Sequence, residues 1–459
     1  MRGSALTGGR VGMVDSLRQH PVWAGPRIRN ERWGNLSRGG AVKRILMLVA
    51  AGAAILALVP LVGTKRSAQA LPMFARKYNV SCATCHTSPP RLNETGYRFR
   101  AAGFRMPEEI GRSDDTKRFD PLDYNSIRIQ ARVDANRTRA GQIVTTSHAT
   151  RLQALELYPF TGAWGGYFST NFKVTFAPAR QPAIENAHVK LNAGNERRFL
   201  GVRLGIFHPF DGYGASDSPA TISRPLLQTT PANFNQTTFF TTWGFDQTGA
   251  EVGFDYRRTS IRAALLNGLV LSRTGSGFVA SAAQGGPLTR PSAGPKHDGA
   301  DFQLFINHTL HPEGGGVSFH YYHGNLSLPV AQTNDFFRNQ FDRAAIYGSY
   351  PVVKRLHLFA GYQHGRDRTF ASGRFTSRGA FAEASVPVTD LTAAGVRFDW
   401  FDPASDRPAN EIRGVTTYVN AWFFEQVRIV AEYQRRTTRR GADPRRTDDA
   451  FQIRFIYIK

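Results

Sequence analysis

Both cysteines of the chain lie in one pentapeptide, Cys82-Ala83-Thr84-Cys85-His86. Two thiols three positions apart on one turn can each add to a vinyl group of the same porphyrin. The next residue, His86, is then placed to ligate the iron from the proximal side. The pattern therefore predicts one covalent haem c, with Cys82 and Cys85 as anchors and His86 as an axial ligand. A structural zinc site needs four ligands, and a disulfide-stapled fold of 459 residues needs more pairs. A thioredoxin-like redox pair is the rival, but nothing around the motif reads as the strand and helix of such a fold.

The sixth ligand is open. Between Leu71 and Ser147 there is no histidine except His86, which leaves Met73 and Met106 as soft candidates. Met106 lies 21 residues after Cys85, beyond a helix predicted over Arg91 to Gly103, so the chain can fold back over the haem. A thioether ligand would raise the reduction potential relative to a second histidine. The alternative makes Met106, beside Phe104 and Pro107, an ordinary hydrophobic contact. His148 and later histidines reach the haem only if the haem segment packs inside the rest of the chain.

Three regions would position these groups. Residues 1–70 read as an N-terminal extension and signal peptide. Lys43 and Arg44 open a basic stretch, Ile45 to Gly63 form an apolar run broken by Pro60, and Ala68-Gln69-Ala70 supplies a small-x-small cleavage site. A permanent membrane anchor is the alternative, since the run approaches the ~18 residues of a spanning helix. Residues 1–40 are rich in Gly, Arg and Ser without apolar periodicity, so translation is expected to start near Val42. The mature protein then starts at Leu71, outside the cytoplasm. Residues 71–120 form the monohaem cytochrome segment, with charged Asp114 to Arg118 as a linker. Residues 121–459 are the third region.

There the period changes to two. Ile127, Ile129, Ala131 and Val133 alternate with Arg128, Gln130, Arg132 and Asp134. Leu200, Val202, Leu204 and Ile206 repeat the pattern, as do Val427, Ile429, Ala431 and Tyr433. Phe451, Ile453, Phe455 and Tyr457 end the chain in the same way. Roughly sixteen such segments of about 10 residues fit between Tyr124 and Lys459, the signature of an all-β transmembrane barrel of antiparallel strands. Long loops are expected at Asp211 to Thr248, Ser272 to Ala300 and Pro329 to Arg338. A soluble β-sandwich is the alternative. Export, strand number and aromatics at strand ends (Tyr158, Phe160, Trp164, Tyr167, Phe168, Trp400, Phe401, Trp422, Phe423) favour the membrane, where such rings form girdles. An arginine facing lipid at mid-depth costs ~2–4 kcal/mol. Arg128, Arg203, Arg397, Arg428 and Arg454 all fall opposite the apolar face, where they can line a wet lumen. The last residues, Tyr457-Ile458-Lys459, depart from the aromatic ending common in such barrels.

The formal charge of +23 is partly an N-terminal matter, because residues 1–70 hold 11 Lys/Arg against 2 Asp/Glu. The remainder carries +14, from 47 basic and 33 acidic residues. This suits an anionic partner, anionic lipid or nucleic acid. No nucleic-acid motif gathers the charges, so nucleic acid is set aside.

Residues 72–107 resemble the N-terminal cytochrome of fused outer-membrane cytochrome–porins. The likeness is carried by Pro-Met-Phe-Ala-Arg-Lys-Tyr, Ser-Cys-Ala-Thr-Cys-His, Pro-Arg-Leu-Asn, Gly-Tyr-Arg-Phe-Arg and Gly-Phe-Arg-Met-Pro. That family includes iron oxidases of iron-oxidising bacteria and porin-like cytochromes of metal-respiring bacteria. The resemblance is close over the haem segment and architectural over the barrel. It implies electron transport at the outer membrane of a Gram-negative bacterium through the haem on Cys82, Cys85 and His86. Its partners would be a periplasmic electron carrier and an extracellular donor or acceptor, with iron oxidation as one form of the activity. No acidic cluster reads as a dedicated iron site. Two other functions stay open: a porin for anionic solutes with the haem segment as plug, and a soluble periplasmic haem protein.

Overall fold

The structure is a computed structural model. It describes residues 72–112, 120–178, 182–209, 212, 220–229, 231–234, 237–240, 246–267, 269–274, 277–282, 300–329, 336–353, 356–369, 373–389, 391–406, 411–423, 426–439 and 445–459. The signal-peptide reading of residues 1–70 and the linker at Asp114 to Arg118 lie outside the described residues. All described residues belong to one compact unit, Thr64–Lys459. Among them no helix is long and apolar enough to cross a membrane.

Residues 72–112 fold first, into α1 (Pro72–Tyr78) and α2 (Glu94–Ala101) with the Cys-x-x-Cys-His turn between them. The predicted helix is thus found, shorter at both ends. Asn93 caps α2, its side chain accepting from the Gly96 amide at 3.0 Å, and Glu94 and Arg98/Arg100 complement the helix dipole.

Sixteen antiparallel strands then close into one barrel. They are β1 (Ser126–Ala140), β2 (Ile143–Tyr158), β3 (Phe168–Phe176), β4 (Ala183–Asn195), β5 (Arg198–Phe207) and β6 (Gln247–Tyr256). β7 (Thr259–Leu266), β8 (Asp301–His311), β9 (Gly315–Pro329), β10 (Phe336–Val353) and β11 (Leu356–Thr369) follow. β12 (Gly373–Thr389), β13 (Thr392–Asp402), β14 (Ile412–Phe423), β15 (Val427–Thr438) and β16 (Arg446–Ile458) complete the wall. A three-residue strand, Gly162–Trp164, joins the rim between β2 and β3, and a hairpin of Leu269–Thr274 with Gly277–Ala282 rises from the β7–β8 connection. The wall closes where β16 pairs with β1, with Ile453 opposite Val133 and Phe455 opposite Ala131. Closure leaves no unpaired edge, the condition for a sheet in hydrocarbon. The two-layer sandwich is excluded by it.

The alternation sorts as read. Ile127, Val133, Leu200, Leu204, Val252, Phe254, Ile346, Phe398 and Phe455 are exposed on the outer face. Arg203, Arg343, Arg397 and Arg428 are turned inward, where carboxylates meet them: Arg343 Nη2 lies 2.7 Å from Asp367 and Arg397 Nε 2.8 Å from Asp399. An apolar outside over a charged inside is the build of an outer-membrane barrel.

Connections are short at one end, at 196–197, 257–258 and 312–314, and long at the other, where 208–246 and 267–300 link strands. Short turns mark the periplasmic end. The 208–246 connection does not project outward over its described part. Residues 220–229, with α3 (Leu226–Thr229), fold into the lumen, and Leu227 is fully buried. The aromatic list also divides. Phe160, Tyr167 and Phe168 are exposed near the rim, but Phe401 is fully buried and Tyr158 and Trp422 face the segment inside.

Candidate functional site

The haem-type motif is built on a tight turn. Cys82–Thr84 form one turn of 3-10 helix, closed by a bond from the Cys85 amide to the Cys82 carbonyl at 3.1 Å. This brings both thiols onto one turn, and both are buried. Asn93 holds the turn against α2: its amide donates to the Cys85 carbonyl at 3.0 Å and its side chain to the Thr84 carbonyl at 3.1 Å. His86 enters a two-stranded ladder opposite Leu92. Its Nδ1 is buried without a hydrogen-bond partner.

Burial dominates the electrostatics of this turn. It pushes the Cys85 thiol up to about 11 and lowers the His86 imidazole to about 4. For His86 the carbonyls of Arg91 and Pro90 pull the other way and lose. A reactive redox thiol requires a lowered pKa and partial exposure, so the geometry disfavours a thioredoxin-like role. A neutral imidazole is the form that ligates metal. Paired thiols on one turn beside a neutral imidazole with an unused nitrogen fit a covalent haem.

The segment is seated in the short-turn mouth of the barrel, and its backbone is met by inward-facing wall residues. Asn192 on β4 donates to the Ala102 carbonyl at 3.0 Å, and Lys190, two residues away, to that of Ala101. On the opposite arc, Asn420 and Trp422 of β14 donate to the Pro89 carbonyl at 2.8 and 3.2 Å. Turns close over the plug as well: the Glu94 amide donates to the Pro312 carbonyl at 2.9 Å, and Arg258 pairs with Glu94. Arg105, fully buried, reaches the Phe168 carbonyl. Arg91 pairs with Glu383 of β12, donates to the Tyr418 hydroxyl at 2.7 Å and lies 3.9 Å over the Phe359 ring.

Above the plug, the inward loop is fixed by wall charges. Arg397 donates to the Thr221 hydroxyl at 3.0 Å and to the Ser223 and Arg224 carbonyls at 3.1 and 3.2 Å. Glu432 accepts from the Ile222 amide at 2.6 Å, and Asp399 from the Leu226 amide at 3.0 Å. Between plug, loop and wall lies an open cleft of ≈ 750 Å³, bordered by Thr87, Arg91, Thr221, His357, Glu383 and Arg397 among others.

Met106 stands elsewhere. It packs with Tyr78, Phe104 and Tyr158 against Met73, Phe74 and Phe99, the aromatic cluster beneath α1. Met73 is fully buried in the same cluster. The structure thus gathers Cys82, Cys85 and His86 on one turn and places both methionines in apolar contacts. Among the described residues no group of three His, Cys, Asp or Glu side chains forms a further metal cluster. The sequence reading missed Asn420, Trp422, Glu383 and the inward loop. The signal for the two residues was their inward parity on β14; nothing local marked what they would meet.

No family model and no curated protein matches the chain. Among solved structures it is similar to the outer-membrane channel DcaP of Acinetobacter baumannii, at 11% identity over 73% of this chain and 97% of that one, with a TM-score of 0.49. An anion-selective porin from Comamonas acidovorans matches at 12% identity over 72% of this chain and 100% of that one, with a TM-score of 0.46. OprB of Pseudomonas putida matches at 11% identity over 73% and 94%, also at 0.46. At these values the likeness adds nothing to what the strand topology already gives: the chain is a porin-type barrel.

Proposed function

We propose that this chain is an electron-transfer protein of the Gram-negative outer membrane, whose barrel is closed at its periplasmic mouth by a plug carrying one covalent haem. The observation that supports it is the seating of Cys82, Cys85 and His86 on a segment tied to the wall on several sides. Cys82 and Cys85 would hold the porphyrin and His86 the iron. When bound, the group would supply one-electron iron chemistry at a potential set by its ligands and burial.

The chain's own residues do the rest. Asn192, Lys190, Asn420 and Trp422 hold the plug, so the motif keeps a fixed depth. Phe74 and Phe99 pack with Tyr158 of β2, fixing α1 and α2 to the wall. The hydrocarbon layer is ~30 Å thick. A carrier in the periplasm can dock at the short-turn mouth, whereas a partner outside the cell must use the lumen above the plug. Iron is one donor that fits the family resemblance.

Purified membrane protein should stain for haem after denaturation, and its redox-titrated spectrum should change on addition of Fe²⁺. A haem that stays oxidised under excess Fe²⁺ removes iron as donor. Absence of the stain removes the redox reading altogether.

A second reading, a porin for anionic solutes, is favoured by the closed barrel and by the excess of 47 basic over 33 acidic residues after residue 70. Here the plug and the inward loop would narrow the passage. A Cys82→Ala/Cys85→Ala barrel conducting anions as the parent does would favour this reading. The soluble periplasmic alternative conflicts with the closed wall and its exposed apolar belt.

A further inference from the structure

The outer face of the barrel changes character along its height. On β12, Val386 and Val388 near the short-turn end are exposed, and Arg378 and Arg374 follow on the same face toward the long-loop end. On β11, Leu358 and Tyr362 are exposed, and Arg366 and Arg368 continue their row. A strand turns every second side chain the same way, so both rows stay on the lipid side throughout. Val388 and Arg378 stand ten residues apart on β12. At ~3.3 Å per residue and a tilt of ~40°, that is about 25 Å along the membrane normal, the height of the apolar belt of such barrels. The arginines therefore stand where the hydrocarbon ends and the headgroups of the outer leaflet begin.

Strand register gathers the charges. Arg368 lies directly opposite Arg374, Arg366 opposite Thr376 and His364 opposite Arg378. Like charges directly opposite on one face repel. All four guanidinium groups are exposed, and none makes an ion pair or a hydrogen bond with a described residue. Two carboxylates come near in register, and both are engaged elsewhere. Asp342, opposite Arg366, accepts from the Tyr321 hydroxyl at 2.7 Å and lies 2.9 Å from His323 Nδ1. Asp402, opposite Arg378, accepts from the Ala404 amide at 3.2 Å. Toward the same end of the barrel, other outer arginines have their own partners: Arg413 pairs with Glu411 at 2.7 Å and Arg435 with Asp449 at 3.8 Å.

We propose that this face of the β11–β12 hairpin binds the phosphate groups of the phosphorylated glycolipid that forms the outer leaflet. An arginine presents a planar fork of donors that fits two phosphate oxygens at once. A phosphate between Arg368 and Arg374 answers two like charges with one anion, and its acyl chains run down along Tyr362, Leu358 and the valines of β12. The apolar row directly beneath the basic one points to a lipid rather than a free anion. The inference stands on the outer-membrane barrel alone and is independent of the haem.

The test uses the full chain, purified in detergent and titrated with bisphosphorylated lipid A, with bound lipid counted by native mass spectrometry. Binding should be seen with this form and lost with its dephosphorylated counterpart, and excess inorganic phosphate should not displace it. Arg368→Gln/Arg374→Gln should weaken binding by about tenfold or more, roughly the worth of one charge-assisted hydrogen bond. Arg413→Gln/Arg435→Gln removes equal charge from paired arginines and should leave binding within about twofold, as expected of exposed ion pairs. Heat-shifted migration on a gel establishes that each barrel is folded. Equal binding of both lipid forms, unchanged binding by the β11–β12 variant, or equal loss in the two double variants overturns the proposal. Displacement by inorganic phosphate assigns the face to a free anion, and a β11–β12 variant altered in oligomer size but not in lipid binding assigns it to a second copy; either overturns it too.

Discussion

Asn420, on the inner face of β14, donates its side-chain N–H to the carbonyl oxygen of Pro89 at 2.8 Å, joining residues 331 positions apart. Trp422 donates to the same oxygen from two residues along the strand. One plug carbonyl, immediately after the haem-type motif, is thus held by two wall side chains.

Removing both donors leaves a buried acceptor unsatisfied, at a cost of about 1–3 kcal/mol. Asn420→Leu/Trp422→Phe should therefore loosen the plug and deprive Arg428 of the Asn420 oxygen to which it donates at 2.7 Å, while the backbone ladder of the wall, which involves neither side chain, stays closed. Limited proteolysis is expected to cut between residues 80 and 95 faster in the variant, with heat-shifted migration of the barrel preserved. Equal cutting in both proteins would deny these bonds a role in seating.

Gly96 faces the back of the motif. A Cβ there would overlap the Cys85 carbonyl oxygen and lie 2.8 Å from Leu92. The opposing atom is backbone, so Gly96→Ala must displace the turn, at about 1–3 kcal/mol for such overpacking. The haem-to-protein ratio after maturation should fall several-fold, while barrel yield stays near parental.

Arg397 is fully buried and joins Asp399 to the inward loop. Breaking a buried ion pair by removing one partner costs about 3–5 kcal/mol. With Arg397→Met the loop should leave the wall and Asp399 lose its counter-charge. In planar bilayers the variant is expected to show larger and noisier single-channel currents than the parent. Unaltered currents would show that other contacts hold the loop.

Tyr78, in α1, donates its hydroxyl to the Phe104 carbonyl at 3.1 Å. Burial and nearby Glu109 raise its pKa well above the usual phenol value. A group raised in the folded state stabilises fully below its unfolded pKa, about 10 for tyrosine, and that stability is lost as pH climbs beyond it. Plug seating, read by protease protection, should weaken above about pH 10 in the parent. Tyr78→Phe should weaken it at neutral pH and flatten the alkaline loss.

The amino-acid sequence alone determined the wall. Period-two alternation from Ile127 to Tyr457 places apolar groups outward and Arg203, Arg397 and Arg428 inward, because a pleated strand turns successive side chains to opposite faces. It also determined the motif, since two thiols and an imidazole at that spacing need only one turn to come together. Tertiary structure alone decided what the inward residues touch. Trp422 reads as a rim aromatic by its position at a strand end, yet it holds the plug. The long loop expected at Asp211 to Thr248 carries no local mark of where it goes, yet residues 220–229 fold inward because Arg397, Asp399 and Glu432 offer hydrogen-bond partners to its backbone. Strand alternation fixes the face a side chain occupies, but which elements share a lumen depends on closure of the whole ring, a contact between distant segments that local spacing does not encode.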